Sequence, residues 1–326
     1  MIPNQWYAIL ESNEVKRGKM TAVTRMGEKL IAWRDGRGQV TVMGDKCPHR
    51  GVALSAGKIV NECIQCPFHA FEFDRNGDCK VVPANGRNAE PPRALHVHTY
   101  PACEVHNFIY IWWGEAIEDL PPVPWFESIS ENMVYTTLKD HWSNHYSRAI
   151  ENQLDVVHLP FIHHNTIGRG NRTLVNGPVT REESHWPGDH LINLWVYNEL
   201  DQGQKPKRSS ELPEPDRRPF LQFRYGNLWH NWIADSIRIV IAFAPVDDEN
   251  TLMYIRYYHT VRTPIFRQIF GWIGSLANLV IERQDRRVVI TQRPPRADLG
   301  IGEILIPGDG PIVTYRKRRR ALIDGK

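Results

Sequence analysis

A chain of 326 residues, 41% apolar and 24% charged, is long enough for two ordinary domains and is not the composition of a disordered protein. Its 40 basic and 37 acidic residues leave a net charge of +3, too small to imply nucleic-acid binding, so no nucleic-acid partner is expected. The five cysteines are an odd set, and Met1–Tyr7 lacks the basic start and apolar core of a signal peptide. A disulfide framework is therefore not expected, and the cytoplasm is the expected compartment.

From residue 5 to 113 short alternating runs are broken by turn residues. They predict strands over Trp6–Ile9, Thr21–Thr24, Lys29–Trp33, Val40–Met43, Ala70–Asp74 and Phe108–Trp113. An all-β first domain over residues 1–118 follows. Asp119-Leu120-Pro121-Pro122-Val123-Pro124 can neither join a helix nor sit centrally in a sheet, and it opens a second domain over residues 119–326. There, helical spacing covers His141–Val157, and a loop rich in Asn and Gly runs from Asn165 to Asn171. Strands resume at Leu191–Tyr197, Phe220–Tyr225, Ile237–Ala244 and Thr251–Val261, and the charged, proline-bearing stretch Asp201–Arg218 is expected as an exposed mobile loop. The apolar segment Ile269–Ile281, bracketed by Arg267 and Glu282, is too short to span a bilayer. It is expected as a packed amphipathic helix, with no membrane partner. The basic run Arg316, Lys317, Arg318, Arg319 and Arg320 is expected as a solvated tail. The fold class is α+β, an antiparallel sheet carrying helices after an all-β domain.

Two short elements in the first domain carry metal chemistry. Cys47-Pro48-His49-Arg50-Gly51 and Cys66-Pro67-Phe68-His69 each offer one cysteine and one histidine within reach of a single turn. A Rieske [2Fe–2S] centre needs this set, because two cysteines hold one iron and two histidines the other. Pro48, Gly51 and Pro67 suit tight loops. Zinc is the competing metal, since Cys63-Ile64-Gln65-Cys66 has C-x2-C spacing. That reading lacks a second C-x2-C pair and leaves the repeated Cys-Pro-x-His element unexplained. Cys63, Cys79 and Cys103 are read as free small hydrophobes.

A second donor set lies in Glu151-Asn152-Gln153-Leu154-Asp155-Val156-Val157-His158-Leu159-Pro160-Phe161-Ile162-His163. Asp155 and His158 share a helical face. Pro160 disfavours helical geometry before it, and the resulting distortion can bring His163 round to share a metal with His158. Two histidines and one carboxylate on one side of Fe(II) make the facial triad of non-haem oxygenases. Spacing alone leaves two candidates for the carboxylate, the local Asp155 and the distant Asp285, and leaves His163 and His164 adjacent alternatives. Paired histidines near a helix end are more often satisfied side chains than ligands. The cluster in the same chain strengthens the metal reading, because an electron carrier joined to a larger domain needs something to reduce.

With these motifs in order, the chain resembles the catalytic subunits of Rieske non-haem iron oxygenases over almost its whole length. The match runs through C-x-H, C-x2-H, N-x2-D-x2-H-x4-H and a late aspartate after a helix. It looks most like the vanillate and dicamba O-demethylase branch. The resemblance implies a helix-grip-like catalytic domain, a cluster on Cys47, His49, Cys66 and His69, and a mononuclear Fe(II) on His158, His163 and Asp285. By motif position Asp155 matches the family's bridging aspartate, which links a cluster histidine of one subunit, here His69, to an iron histidine of its neighbour, here His158. That implies a head-to-tail ring, usually a homotrimer. Asn152 matches a polar position close to the iron, and capping of the distorted helix is its structural alternative.

The same resemblance implies that a reductase or ferredoxin delivers NAD(P)H electrons and that O2 is activated beside a small aromatic or polycyclic substrate. Hydroxylation or oxidative demethylation would result, with a desaturase or cyclase as the alternative. A Rieske electron-transfer protein is a further alternative, against which stand about two hundred further residues. No G-x-G-x-x-G is present, so flavin and nicotinamide are expected on a separate protein. Asn231 and His259, polar groups on predicted strands, are the candidate substrate anchors, although ordinary packing is the usual role of such residues.

Overall fold

A computed structural model of the protein describes residues 1–86, 89–115, 117–168, 174–186 and 189–325. The chain forms two compact units, Trp6–Val123 and a second made of Met1–Gln5 with Pro124–Lys326. They part inside the proline cluster, after Val123 rather than after residue 118, and the first five residues join the later unit.

The earlier unit is all β. Gln5–Glu11, Phe108–Trp113 and Ala102–Val105 make one sheet, and Met20–Arg25, Glu28–Arg34, Val40–Gly44 and Thr99–Tyr100 a second. The third sheet is Lys58–Val60, Cys63–Gln65, Glu72–Phe73 and Cys79–Val81. Alternation in Glu28–Arg34 and Val40–Gly44 turns Ile31, Trp33 and Met43 into a core shared with Leu54, Ile64, Phe71 and Phe73. Cys47 and Cys66 belong to that same core.

The later unit is built on one seven-stranded antiparallel sheet. Its strand order is Val134–Trp142, Thr251–His259, Ile237–Pro245, Leu228–Ala234, Leu221–Arg224, Asp189–Val196 and Pro178–Trp186. Register fixes which side chains share a face: Leu221, Asn231, Ile239, Tyr257 and Thr136 lie opposite one another across five strands. This is the face that meets the helices, because Trp229, two residues from Asn231, donates its indole N–H to the Gln153 carbonyl at 3.0 Å. The other face holds a buried polar chain in which His230 contacts Gln222 and Ser128, and Gln222 donates to Asn193.

Among the described residues four helices complete the unit: α1 (Tyr146–Leu154), α2 (Leu159–Ile162), α3 (Pro264–Val289) and α4 (Gly310–Ile323). The helix expected over His141–Val157 is shorter, because His141 and Trp142 pair with Leu252 and Thr251 as the end of a strand. The loop expected from Asn165 lies outside the described residues from 169 to 173. The basic C-terminal run is not a solvated tail. It forms α4, in which Arg316 and Arg319 are buried and Arg318 pairs with Glu182 at 2.6 Å. A buried guanidinium needs a partner, and the sequence supplies Glu151 and Glu303 to Arg316 at 2.5 and 2.6 Å.

α3 also departs from expectation. It is longer than the apolar segment predicted, and by length and composition it is one helix that could cross a membrane. Its buried positions are Gly271, Ser275, Asn278, Glu282, Asp285 and Val289, so the face turned to the sheet is mostly small or polar. Gly271 and Gly274 let it lie close. A methyl group at either would meet Thr136 or Tyr257 at 2.4 Å.

Candidate metal centres

The two Cys-Pro-x-His loops have the same backbone design. Cys47 N–H donates to the Val52 carbonyl at 2.8 Å and Gly51 N–H to the Cys47 carbonyl at 2.9 Å. In the second loop Cys66 N–H donates to Phe71 at 2.8 Å and Ala70 N–H to Cys66 at 3.1 Å. Each loop closes on a left-handed residue, Gly51 at φ +75° and Ala70 at φ +57°. Glycine takes that conformation without cost and alanine does not. Both thiols are buried, and the His49 and His69 rings lie 4.7 Å apart, His49 stacked on Phe71 at 4.8 Å.

Burial raises the Cys47 thiol pKa, and the Cys66 thiol beside it raises it further, against the opposing hydrogen bond from the His49 amide. A buried thiol whose pKa is raised in this way gives up its proton with a cation at hand, and a bound iron would supply that charge. Among the described residues the one group whose donors converge tightly enough for a single ion lies elsewhere. Two thiols and two imidazoles, one of each on either loop, are the donor set of a Rieske two-iron cluster. Cys63 stays a thiol, its pKa pushed up to about 11 by burial.

The second centre starts where α1 stops. His145 caps the helix, its ring nitrogen accepting from Ser147 N–H. After Leu154 the chain turns extended at Asp155, whose Oδ1 accepts from Val157 N–H at 2.6 Å and from His158 N–H at 3.4 Å. α2 then restarts with Pro160 in its first turn, where a missing N–H costs nothing. His158 and His163 flank this single turn with ring centroids 5.3 Å apart. Gly168 seals the loop, because a side chain there would strike the Leu159 carbonyl at 2.3 Å.

α3 brings Asp285 to the pair. Its Oδ1 lies 2.9 Å from His163 Nε2 and 3.4 Å from His158 Nε2, and one ligand atom from each residue falls within 4.8 Å of the others. Buried polar atoms normally have partners. Here His158 Nε2 and Asp285 Oδ1 are buried without a hydrogen bond of good geometry. A donor set with orphaned atoms facing one point fits a metal ion, and two histidines with one carboxylate fit Fe(II). His164 points away, its ring against the Phe161 carbonyl at 3.1 Å.

A neighbouring group sets the tautomer of one candidate ligand. Gln284 Oε1 lies 2.8 Å from His163 Nδ1 and accepts its proton, leaving Nε2 with the lone pair. Burial alone would lower the His163 pKa, but the Asp285 carboxylate and Gln284 outweigh it and the net shift is upward. Asp155 Oδ2 stands 3.5 Å from His158 Nδ1, an electrostatic contact rather than a full hydrogen bond. Glu282, one turn before Asp285, accepts from Gln153 Nε2 at 2.9 Å. Burial, and then the charges of Asp285 and Asp140, push its pKa well above the usual carboxylate range. Arg286 clamps this end of α3 to the sheet through Asp140 at 2.6 Å.

The remaining expected site residues are more scattered. Asn152 and Asp155 line an open cavity of about 340 Å³ with Arg148, Glu303 and Arg316. Asn231 lies on the helix-bearing face with its Oδ1 buried and unpartnered. His259 is on the same face, but its Nε2 sits against Gly271, a distance of about 21 Å along α3 from Asp285 at 1.5 Å rise per residue.

Comparison with known proteins matches residues 5–101 to the Rieske [2Fe-2S] domain and residues 142–325 to the vanillate O-demethylase oxygenase C-terminal domain. The chain belongs to the Rieske oxygenases. Cholesterol 7-desaturase nvd of Xenopus laevis is 34% identical over 166 residues, covering 49% of this chain and 36% of that protein. This Rieske oxygenase chain spans 36 to 56% of the length of the first curated relatives it matches. Solved structures share its fold. Dicamba monooxygenase bound to dicamba has a TM-score of 0.70 at 20% identity, covering 99% of this chain and 98% of that one. The oxygenase and ferredoxin complex of carbazole 1,9a-dioxygenase has a TM-score of 0.77 at 18% identity, covering 97% and 88%.

Proposed function

We propose that this chain is the oxygenase component of a multicomponent monooxygenase, with a Rieske cluster on Cys47, His49, Cys66 and His69 and a mononuclear Fe(II) on His158, His163 and Asp285. The observation that carries the proposal is the convergence of His158, His163 and Asp285, with two buried donor atoms left unsatisfied. When bound, Fe(II) in such a triad supplies open positions at which O2 is reduced beside the substrate, leading to hydroxylation or oxidative demethylation. Gln284 holds the His163 tautomer, Asp155 sets its charge beside His158 Nδ1, and burial pushes the Glu282 pKa well above the usual carboxylate range one helical turn from Asp285. Asn231 offers an unpaired oxygen on the face that meets the helices, where a small aromatic or polycyclic substrate would find a polar anchor among apolar walls. His259 would serve only the far end of an extended substrate.

The Asp155 side chain is 26% exposed beside an open cavity, so its carboxylate can reach a neighbouring molecule. That supports its assignment as the bridge to His69 of a second copy in a head-to-tail homotrimer. A separate ferredoxin or reductase as electron donor is supported by the lack of a nucleotide-binding Gly motif, and by the carbazole dioxygenase neighbour's ferredoxin complex. The test is turnover with a generic reductase under labelled O2, reading hydroxylated product and formaldehyde together, with iron analysis. About three irons per chain and label in a product support the proposal; two irons per chain leave an electron carrier. The identity to a cholesterol desaturase favours one second reading, desaturation, which yields no labelled product.

A further inference from the structure

α3 carries its polarity reversed. At 3.6 residues per turn, Gly271, Ser275, Asn278, Glu282 and Asp285 fall on one stripe, and that stripe is buried. The opposite stripe bears Ile265, Phe266, Ile269, Trp272, Ile273 and Val280, exposed by 71, 66, 50, 59, 57 and 54%. A helix packed on a soluble core does the opposite. An apolar patch of this extent marks a surface that something else covers.

We propose that the N-terminal half of α3 seats on an anionic lipid bilayer, lying in the headgroup layer with its apolar stripe toward the acyl chains. Charge selects lipid as the occupant. From Thr260 to Ile281 there is no acidic residue, and the charged positions are Arg262 and Arg267, both exposed at the helix's N-terminal end. A cationic rim beside an apolar face is complementary to phosphate headgroups above hydrocarbon. Arg262 is tied to Asn132 at 2.9 Å in a loop that also carries Glu131, so Arg267 supplies most of the attraction. Trp272 is a side chain that settles at a bilayer interface, and the exposed Phe266 and Phe270 before it extend the apolar face. Tyr257, Phe266, Phe270 and Ile273 wall an apolar groove of about 500 Å³, a seat for one acyl chain.

The contact is along the surface and not across the membrane. Glu282, Arg283, Asp285, Arg286 and Arg287 fill the C-terminal turns, and Arg286 is clamped to Asp140. The length of the apolar segment, which alone predicted no membrane contact, measures only spanning; the exposed stripe measures lying flat.

Flotation of the holoenzyme with vesicles of phosphatidylcholine, with and without phosphatidylglycerol, tests the proposal beside lipid-free sedimentation velocity. The wild-type protein should float with the anionic vesicles and less with the neutral ones. Ile269→Glu combined with Ile273→Glu should lower the bound fraction at least about tenfold, and Arg267→Glu should abolish the preference for anionic lipid. Trp272→Ser, which adds no charge, covers misfolding of the double variant and should lower binding severalfold with the visible Rieske spectrum intact. Failure of the wild type to float, or a folded face variant that floats like it, overturns the proposal. A face variant that changes the assembly size without lipid assigns the stripe to a second copy and overturns it equally.

Discussion

Asp155 carries two separable duties, and a pair of substitutions tells them apart. Its Oδ1 accepts from Val157 N–H at 2.6 Å and holds the turn that leads into His158; its charge lies 3.5 Å from His158 Nδ1 and reaches the surface. Asp155→Asn keeps an acceptor for Val157 but removes the charge, whereas Asp155→Ala removes both. A lost hydrogen bond of this kind costs about 1 kcal/mol, so the alanine variant should melt earlier and the asparagine variant near wild type. Loss of a carboxylate behind a metal-bound histidine costs about 10- to 100-fold in affinity or activity. Loss of the relay between subunits falls in the same direction. Both variants, loaded with excess iron, should therefore keep iron at both centres and lose turnover equally despite their different stabilities. The assay is product formation at saturating reductase, beside iron analysis, thermal melting and assembly size. An asparagine variant with wild-type turnover in an intact assembly would refute the bridging role.

Asp285→Ala should empty the mononuclear site and leave the visible Rieske absorbance unchanged, read by iron analysis and spectroscopy on one sample. Gln284→Leu should weaken iron binding by about 10- to 100-fold, because His163 loses the acceptor that fixes its tautomer, and competition with a chelator measures it. Stability should fall with pH from near neutrality. Burial, aided by Arg319 and Arg296 for His145 and by Arg238 for His230, lowers these histidines to about 2 and about 3 from an ordinary 6.5. Groups with lowered folded pKa values favour folding above pH 6.5 and lose that contribution as the unfolded chain takes up protons below it. Between pH 7.5 and 5 each contributes about 2 kcal/mol, so urea midpoints should drop steeply over that window, and His230→Gln should flatten the drop. A flat profile would contradict buried neutral imidazoles.

What was legible in the sequence was what is local. The cluster loops could be read because each packs one thiol and one imidazole into a few residues, and no other chemistry explains the repeat. Strand positions such as Phe108–Trp113 and Ile237–Ala244 followed from alternation. The carboxylate of the second centre could not be chosen from spacing, because Asp285 meets His158 and His163 only through the packing of α3. Gln284, beside the expected ligand, was missed: a glutamine between charged residues gives no sign that it will face a histidine more than a hundred residues earlier. Periodicity showed that α3 is amphipathic but not which face turns inward. The side with glycine and serine won because those residues permit close approach to Thr136 and Tyr257. The basic run misled for a related reason, since its partners Glu151 and Glu182 are distant in the chain.

With both thiols inside the core and His49 exposed at the surface beside the half-buried His69, an electron on the proposed cluster communicates with the outside through imidazole alone. Arrival and departure share one doorway. If the proposed donor protein and the proposed neighbouring copy both meet the cluster here, they must either take turns or divide the two rings between them, so the traffic of electrons becomes a problem of access as much as of potential.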